Sequence, residues 1–318
     1  MLKKMYYRKI TVATLALSVL FILYLMPTSN NNISITKSSI EYVTEAKTEV
    51  VYLLGENNYL TRTTIKEEST APIDIAKNVI NSLIIDGEKS NIIQDGFEPL
   101  IPKNTKILNL SLENKILTIN FSSAFLKMSK KHEEKIIESL VYSLTSIDGI
   151  NQISLQVEGK NLEYLPITKK KLPPILDKSY GINKTYDLLN TSNIESYTIY
   201  YVTNINDNKY YVPVTKYVNS TNSDKIKIII NELIASPIYE TNLMSYLDAN
   251  VSLIDYSLEE DQLKLNFNDK ILKDKENHIL EEVIYTISLS MNDNYHVKEV
   301  AFLVNNEEIY KKSLKTLE

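Results

Sequence analysis

Apolar and polar residues alternate through residues 112–126, LENKILTINFSSAFL, as they do in a half-buried β-hairpin with a polar turn. The pattern returns at 258–272 as LEEDQLKLNFNDKIL. Six of the fifteen aligned positions are identical: Leu112/Leu258, Glu113/Glu259, Leu117/Leu263, Asn120/Asn266, Phe121/Phe267 and Leu126/Leu272. In the first copy Leu108, Leu110 and Leu112 alternate with Asn109 and Ser111, and Leu117, Ile119 and Phe121 alternate with Thr118 and Asn120. Shifted by the 146 residues that separate Leu112 from Leu258, these positions become Ile254, Tyr256 and Leu258, then Leu263, Leu265 and Phe267. The same core face is therefore expected in both copies.

The similarity extends on both sides. VVYLLGENNYLTRTTIKEE, from Val50, reads as two strands around a Gly-Glu-Asn-Asn turn, and TIYYVTNINDNKYYVPVTKYV, from Thr198, reads as two strands around Asn-Ile-Asn-Asp-Asn. Next come DIAKNVINSLIIDG, from Asp74, and DKIKIIINELIASP, from Asp224. Each opens on a carboxylate that can satisfy free first-turn amides, and each closes at a residue that stops a helix, Gly87 or Pro237. Ile75, Val79, Ile80, Leu83 and Ile84 share one helical face, as do Ile226, Ile229, Ile230, Leu233 and Ile234. After the repeated hairpin a second helix is expected in EEKIIESLVYSLTSI, from Glu133, and in ILEEVIYTISLSM, from Ile279. A last strand is expected in QISLQVEG, from Gln152, and in EVAFLVNN, from Glu299. The reading is a pair of ββαββαβ modules of α+β class, each a mainly antiparallel sheet with both helices on one face.

Between the modules, Lys169-Lys170-Lys171-Leu172-Pro173-Pro174 suggests a stiff, exposed connection rather than core. At the other end, residues 10–26 hold seventeen residues without a charge, at the lower limit for a helix crossing a bilayer core of about 30 Å. Lys3, Lys4, Arg8 and Lys9 all precede the run, which places the N-terminus in the cytoplasm and everything after Pro27 outside. The run ends in Tyr24-Leu25-Met26-Pro27 with no small-residue cleavage site, which favours an uncleaved signal-anchor over a cleaved signal peptide. The expected organisation is a cytoplasmic N-terminus at 1–9, a transmembrane anchor at 10–26, a polar spacer at 27–47, a first module at 48–165, a linker at 166–195 and a second module at 196–318.

Composition narrows the function. The chain has 318 residues, 43% apolar and 24% charged, with a net charge of −5. Residues 1–26 carry four cations and no carboxylate, so the remaining 31 Lys and Arg face 40 Asp and Glu, a net −9. No polybasic surface for nucleic acid is indicated. The absence of cysteine excludes disulfides, thiolate metal sites, a cysteine nucleophile and a lipidated N-terminal cysteine.

The arrangement resembles the tandem GerM/GerMN domain proteins of endospore-forming bacteria. The resemblance rests on VVYLL, the helix ending in LIIDG, the segment LIPKNTKILNLSLENKILTINFSSAFL, the helix IIESLVYSLTSI and the strand QISLQVEG, and it covers about residues 48–160 and 196–310. It implies a membrane-tethered protein of spore formation and germination that faces the space between mother cell and forespore. It further implies partners among the envelope channel proteins of sporulation, and a fold similar to ring-building motifs that stack laterally into homo-oligomers or rings. Two departures stand out. Family members are often lipoproteins, whereas here anchoring falls to residues 10–26. The second copy also lacks a counterpart of Pro102, having Tyr246-Leu247-Asp248-Ala249 in its place.

Chemistry-bearing residues are sparse, and the sequence names no catalytic, cofactor-binding or metal residues. His132 and His278 both precede a second helix, and His296 lies elsewhere, but no second His or Cys is near any of them. Glu133-Glu134 and Glu281-Glu282 are adjacent and so face different ways on a helix, which suits solvated faces better than general acid/base work. Tyr200, Tyr201, Tyr210 and Tyr211 suggest an alternative, a peptidoglycan-binding surface. Tyrosine is nonetheless a favoured strand residue and the chain has no Trp. The sequons at Asn183, Asn190 and Asn219 are expected by chance in so Asn-rich a chain. The reading is a non-enzymatic, cofactor-free assembly module that binds other proteins.

Overall fold

A computed structural model describes residues 47–219, 224–235, 242–273 and 278–314. The anchor expected at 10–26 and the spacer before residue 47 lie outside the described residues. Among those described, no helix is long and apolar enough to cross a membrane. Ala46–Glu318 form one unit.

The first module contains β1 (Thr48–Gly55), β2 (Leu60–Lys66), α1 (Pro72–Ser82), β3 (Phe97–Glu98), β4 (Ile107–Glu113), β5 (Ile116–Phe121), α2 (Glu133–Leu144), β6 (Gln152–Val157) and β7 (Lys160–Asn161). After β8 (Thr185–Asp187) the second module runs β9 (Ile194–Ile205), β10 (Asn208–Asn219), α3 (Lys225–Ala235), β11 (Leu253–Glu259), β12 (Gln262–Phe267), α4 (Glu281–Tyr295), β13 (Glu299–Val304) and β14 (Glu307–Ser313). The expected order is present in both, with the two-residue β3 added in the first module and an extra strand, β7 or β14, closing each. Helix α1 starts with Pro72, whose missing N–H costs nothing in the first turn; Ile75, Val79 and Ile80 are buried on its face, while Leu83 and Ile84, expected on the same face, are buried just past its end, Ile84 in a bridge to Ile101.

The sheets depart from the expectation in two ways. Each module's second sheet is mixed, in the orders β4-β5-β6-β7 and β11-β12-β13-β14, with β5 parallel to β6 and β12 parallel to β13. The helix between those strands acts as a crossover, and a crossover returns the chain in its original direction, whereas a tight turn reverses it. The opening hairpins leave their modules' second sheets and join each other in one six-stranded sheet, ordered β3-β1-β2-β10-β8 with β9 on the free edge of β10. One module's sheet thus continues into the other's.

The alternation along the repeated hairpin holds in only one of its two strands. Leu117, Ile119 and Phe121 in β5, and Leu263, Leu265 and Phe267 in β12, are fully buried. In β4 and β11, Leu108 is 48% exposed and Ile254 51%. These are edge strands, and an irregularity at the matching place in each, Ile107/Asn109 and Leu253/Asp255, turns that residue outward.

Asparagine supplies many of the turns. The chain has six glycines, and among the described residues nine of the non-glycine positions with positive φ are Asn. Asn206-Asp207 and Asn114-Lys115 form two-residue loops with both central residues left-handed, the geometry that matches strand twist. Asn reaches this region at lower cost than other residues with a Cβ.

Between the modules Lys169, Lys170, Lys171, Pro173 and Pro174 are exposed as expected, yet the segment as a whole is tied to the core. Leu165, Leu172, Leu176 and Ile182 are buried in the first core, and Leu176 pairs with Ile153 beside β6. Four apolar side chains spaced along the segment outweigh its polar character.

Candidate functional site at the seam between the modules

Helices α2 and α4 close the outer edges of the shared sheet with side chains. In β1 the Tyr52 N–H donates to Ser143 Oγ at 2.9 Å, and Ser139 Oγ donates to the Tyr52 carbonyl at 2.6 Å. In β9 the Tyr200 N–H donates to Ser290 Oγ at 2.9 Å, and Asn294 exchanges two hydrogen bonds with the Thr198 backbone at 2.7 and 3.1 Å. Strand groups that would otherwise be open to a foreign strand are satisfied internally.

This docking brings Tyr52 and Tyr200 together. Their hydroxyls lie 2.9 Å apart, and Tyr200 donates to Asp293 Oδ2 at 2.7 Å. Because Tyr200 has one proton and spends it on Asp293, Tyr52 must be the donor of the pair. Asp293 on α4 also accepts from Lys178 Nζ at 2.6 Å, with side-chain exposures of 4% and 20% respectively. Burial by itself would lower the Lys178 pKa, yet the Asp293 carboxylate holds it above the ordinary lysine value. Burial pushes the Tyr52, Tyr142 and Tyr200 phenols up, so all three remain protonated donors. Tyr142 on α2 completes the cluster by donating to the Lys178 carbonyl at 3.1 Å and meeting the Tyr52 ring edge-on at 5.4 Å. A polar cleft of about 710 Å³ opens beside the ion pair, lined by Asn114 and Asn151 of the first module and Asn294 and His296 of the second.

Asn183 is a second joint. Its Nδ2 donates to the carbonyls of Leu60 and Pro213, both at 2.8 Å, and its Oδ1 accepts from the Leu60 N–H at 2.9 Å. Strands β2 and β10 share a single paired position, Tyr211 with Arg62. The Asn183 amide therefore replaces ladder bonds between the modules. In the sequence Asn183 is only a chance sequon; in the fold it takes a left-handed φ of 47°.

The other singled-out residues are structural. Glu133 is buried, not solvated: it accepts the Ile167 and Thr168 N–H groups at 2.9 and 2.8 Å. Burial would raise its pKa, but those amides and the Thr168 hydroxyl hold it below the ordinary value. Glu134 pairs with Lys170 and Lys184, and Glu282, beside Glu281, pairs with Lys209 of β10. His132 is the N-cap residue of α2, and burial, with Lys131 and Lys135 nearby, lowers its pKa. His278 precedes α4, and His296 caps the end of α4 in a left-handed conformation. Among the described residues, no group of three His, Asp or Glu side chains could hold a metal ion. Asn219 ties down the loop before β9 through the Leu189 and Asn190 N–H groups.

The four tyrosines of the alternative, glycan-surface reading are engaged in packing, as the strand preference of tyrosine suggests. Tyr200 and Tyr201 are buried. Tyr211 stacks on Tyr285 at 5.3 Å and Tyr210 meets Phe97 edge-on at 4.8 Å, so both are held in packing.

A family model described as "Germane: Sporulation and spore germination" matches residues 50–163 and 198–310, the two modules in turn. The chain belongs to the Germane family. It is 29% identical over 266 residues to the spore germination protein GerM of Bacillus subtilis (strain 168), a match spanning 81% of this chain and 71% of that protein. The solved tandem GerMN domains of the sporulation protein GerM from Bacillus subtilis superpose with a TM-score of 0.75 at 27% identity, over 82% of this chain and 92% of that one. Two GerMN-like domains in tandem, and a place in sporulation or germination, follow for this Germane protein.

Proposed function

We propose that this Germane protein is a membrane-anchored, non-enzymatic assembly module of spore formation that binds envelope channel proteins between mother cell and forespore. The observation carrying this reading is the continuous sheet across the seam, reinforced by Asn183 and the Lys178–Asp293 pair. Of the polar residues considered for chemistry, Tyr200 is spent on the seam, where it joins Tyr52 and Asp293, and Glu133 on the connecting segment. A rigid tandem presents two outward surfaces at constant separation, which suits assembly. Residues 10–26 supply the tether, and lateral self-association belongs to the same proposal.

The test is crosslinking and mass spectrometry of native membranes from sporulating cells, beside a deletion strain. Crosslinks from the modules to envelope proteins, with a sporulation or germination defect on deletion, are expected. A deletion strain that sporulates and germinates normally would overturn the reading.

A further inference from the structure

A second pair of tyrosines occupies a setting unlike that of the packed ones. Strand β8 runs parallel to β10 with Tyr186 opposite Tyr217, and their rings stack at 5.0 Å and 17°. Tyr186 is 58% exposed, so much of its ring remains open to solvent. The pair lines an open groove of about 390 Å³ whose apolar wall is completed by Pro173, Ile175 and Tyr180. Lys170, Asp177 and Ser179 bring polar groups to the same groove.

The groove is built rather than incidental. Lys184 Nζ sits 3.5 Å over the Tyr180 ring and is held by Glu134 at 2.9 Å and Glu138 at 3.4 Å. The Tyr217 hydroxyl donates to the Tyr180 carbonyl at 3.3 Å. Gly181, between Tyr180 and the buried Ile182, has φ +79°, and a Cβ there would come within 2.9 Å of that Tyr217 hydroxyl. Against this ordered framework the Tyr180 hydroxyl is buried with no hydrogen-bond partner among the described residues, a state that costs free energy unless something satisfies it.

Such a lining fits a ligand that is apolar on its faces and polar around its edge. A pyranose ring has that character: its C–H face stacks on an aromatic ring while its hydroxyls both donate and accept. Lys170 has ammonium protons to spare beyond its bond to Glu134, and the Asp177 carboxylate can accept more than its bonds from Ser179 and Gln152. We propose that this groove binds a glycan chain, with one pyranose ring on the open face of Tyr186 and its hydroxyls directed to Lys170, Asp177 and the Tyr180 hydroxyl. The sugar contact thus lies in the segment between the modules and β10, away from Tyr200 and Tyr201. This inference and the assembly role can fail independently.

Isothermal titration of the full chain in detergent with chitotetraose and with cellotetraose tests it. Saturable binding of at least one sugar is expected. Tyr186→Ala should weaken it about tenfold, Tyr186→Phe should retain it, and Tyr180→Phe should weaken it by a smaller factor. Because Tyr186 is exposed, an unchanged circular dichroism spectrum is expected for both of its variants. Absence of binding by the wild-type chain at millimolar sugar, or binding that Tyr186→Ala leaves undiminished, would overturn the proposal. Tyr186-dependent binding of a polyproline peptide with no response to either sugar would likewise overturn it and assign the groove to an extended peptide.

Discussion

Replacing Asp293 by Ala removes two things from the seam at once. Lys178, with 20% of its side chain exposed, loses its counter-ion, and the buried Tyr200 hydroxyl loses its acceptor. Breaking a buried ion pair from one side costs about 3–5 kcal/mol, and orphaning a buried hydroxyl costs about 1–3 kcal/mol. Lys178 borders the polar cleft, where water can take over part of the carboxylate's role, so the lower end applies and a loss of about 3–4 kcal/mol is expected. The double variant Asp293→Leu with Lys178→Met should recover most of that loss, because a buried pair replaced by apolar groups of similar volume is often neutral. Urea unfolding of the single and double variants measures both quantities. The broken seam should also separate the two modules into distinct transitions, since the lock joins them. A loss below about 1 kcal/mol for Asp293→Ala, or a double variant as unstable as the single, would refute the reasoning.

Three further outcomes follow from named contacts. Asn183→Ala should cost about 2–4 kcal/mol, from three lost hydrogen bonds and a left-handed φ that suits Asn better than Ala, and hydrogen exchange should accelerate at the Leu60 amide. Glu133 has its pKa depressed in the fold, so its contribution is present above the ordinary value of 4.5 and lost as pH falls through the folded value; Glu133→Gln should flatten the acid limb of a stability–pH curve. Lys178 is shifted the other way, so its contribution is complete below the ordinary 10.5 and lost as pH rises through its folded value; an alkaline melting series on wild type and Lys178→Met should differ in slope only above that pH.

The duplicated module, its element order and much of its core are legible in the order of apolar and polar residues. Repetition shows that the same scaffold is built twice, and a period of two or 3.6 shows which side of each element turns away from water. Ile75, Val79 and Ile80 in α1, and Leu117, Ile119 and Phe121 in β5, are buried as that logic requires. Periodicity does not say what an element turns toward. The parallel pairing of β5 with β6, the exposed edges of β4 and β11, and the continuation of one module's sheet into the other's were decided only by tertiary structure. The residues at the seam meet across long stretches of chain, 148 positions for Tyr52 with Tyr200 and 123 for Asn183 with Leu60. No local pattern encodes such a meeting. Asn183 and Glu133 look like ordinary polar residues until folding removes their water and supplies the backbone groups that replace it.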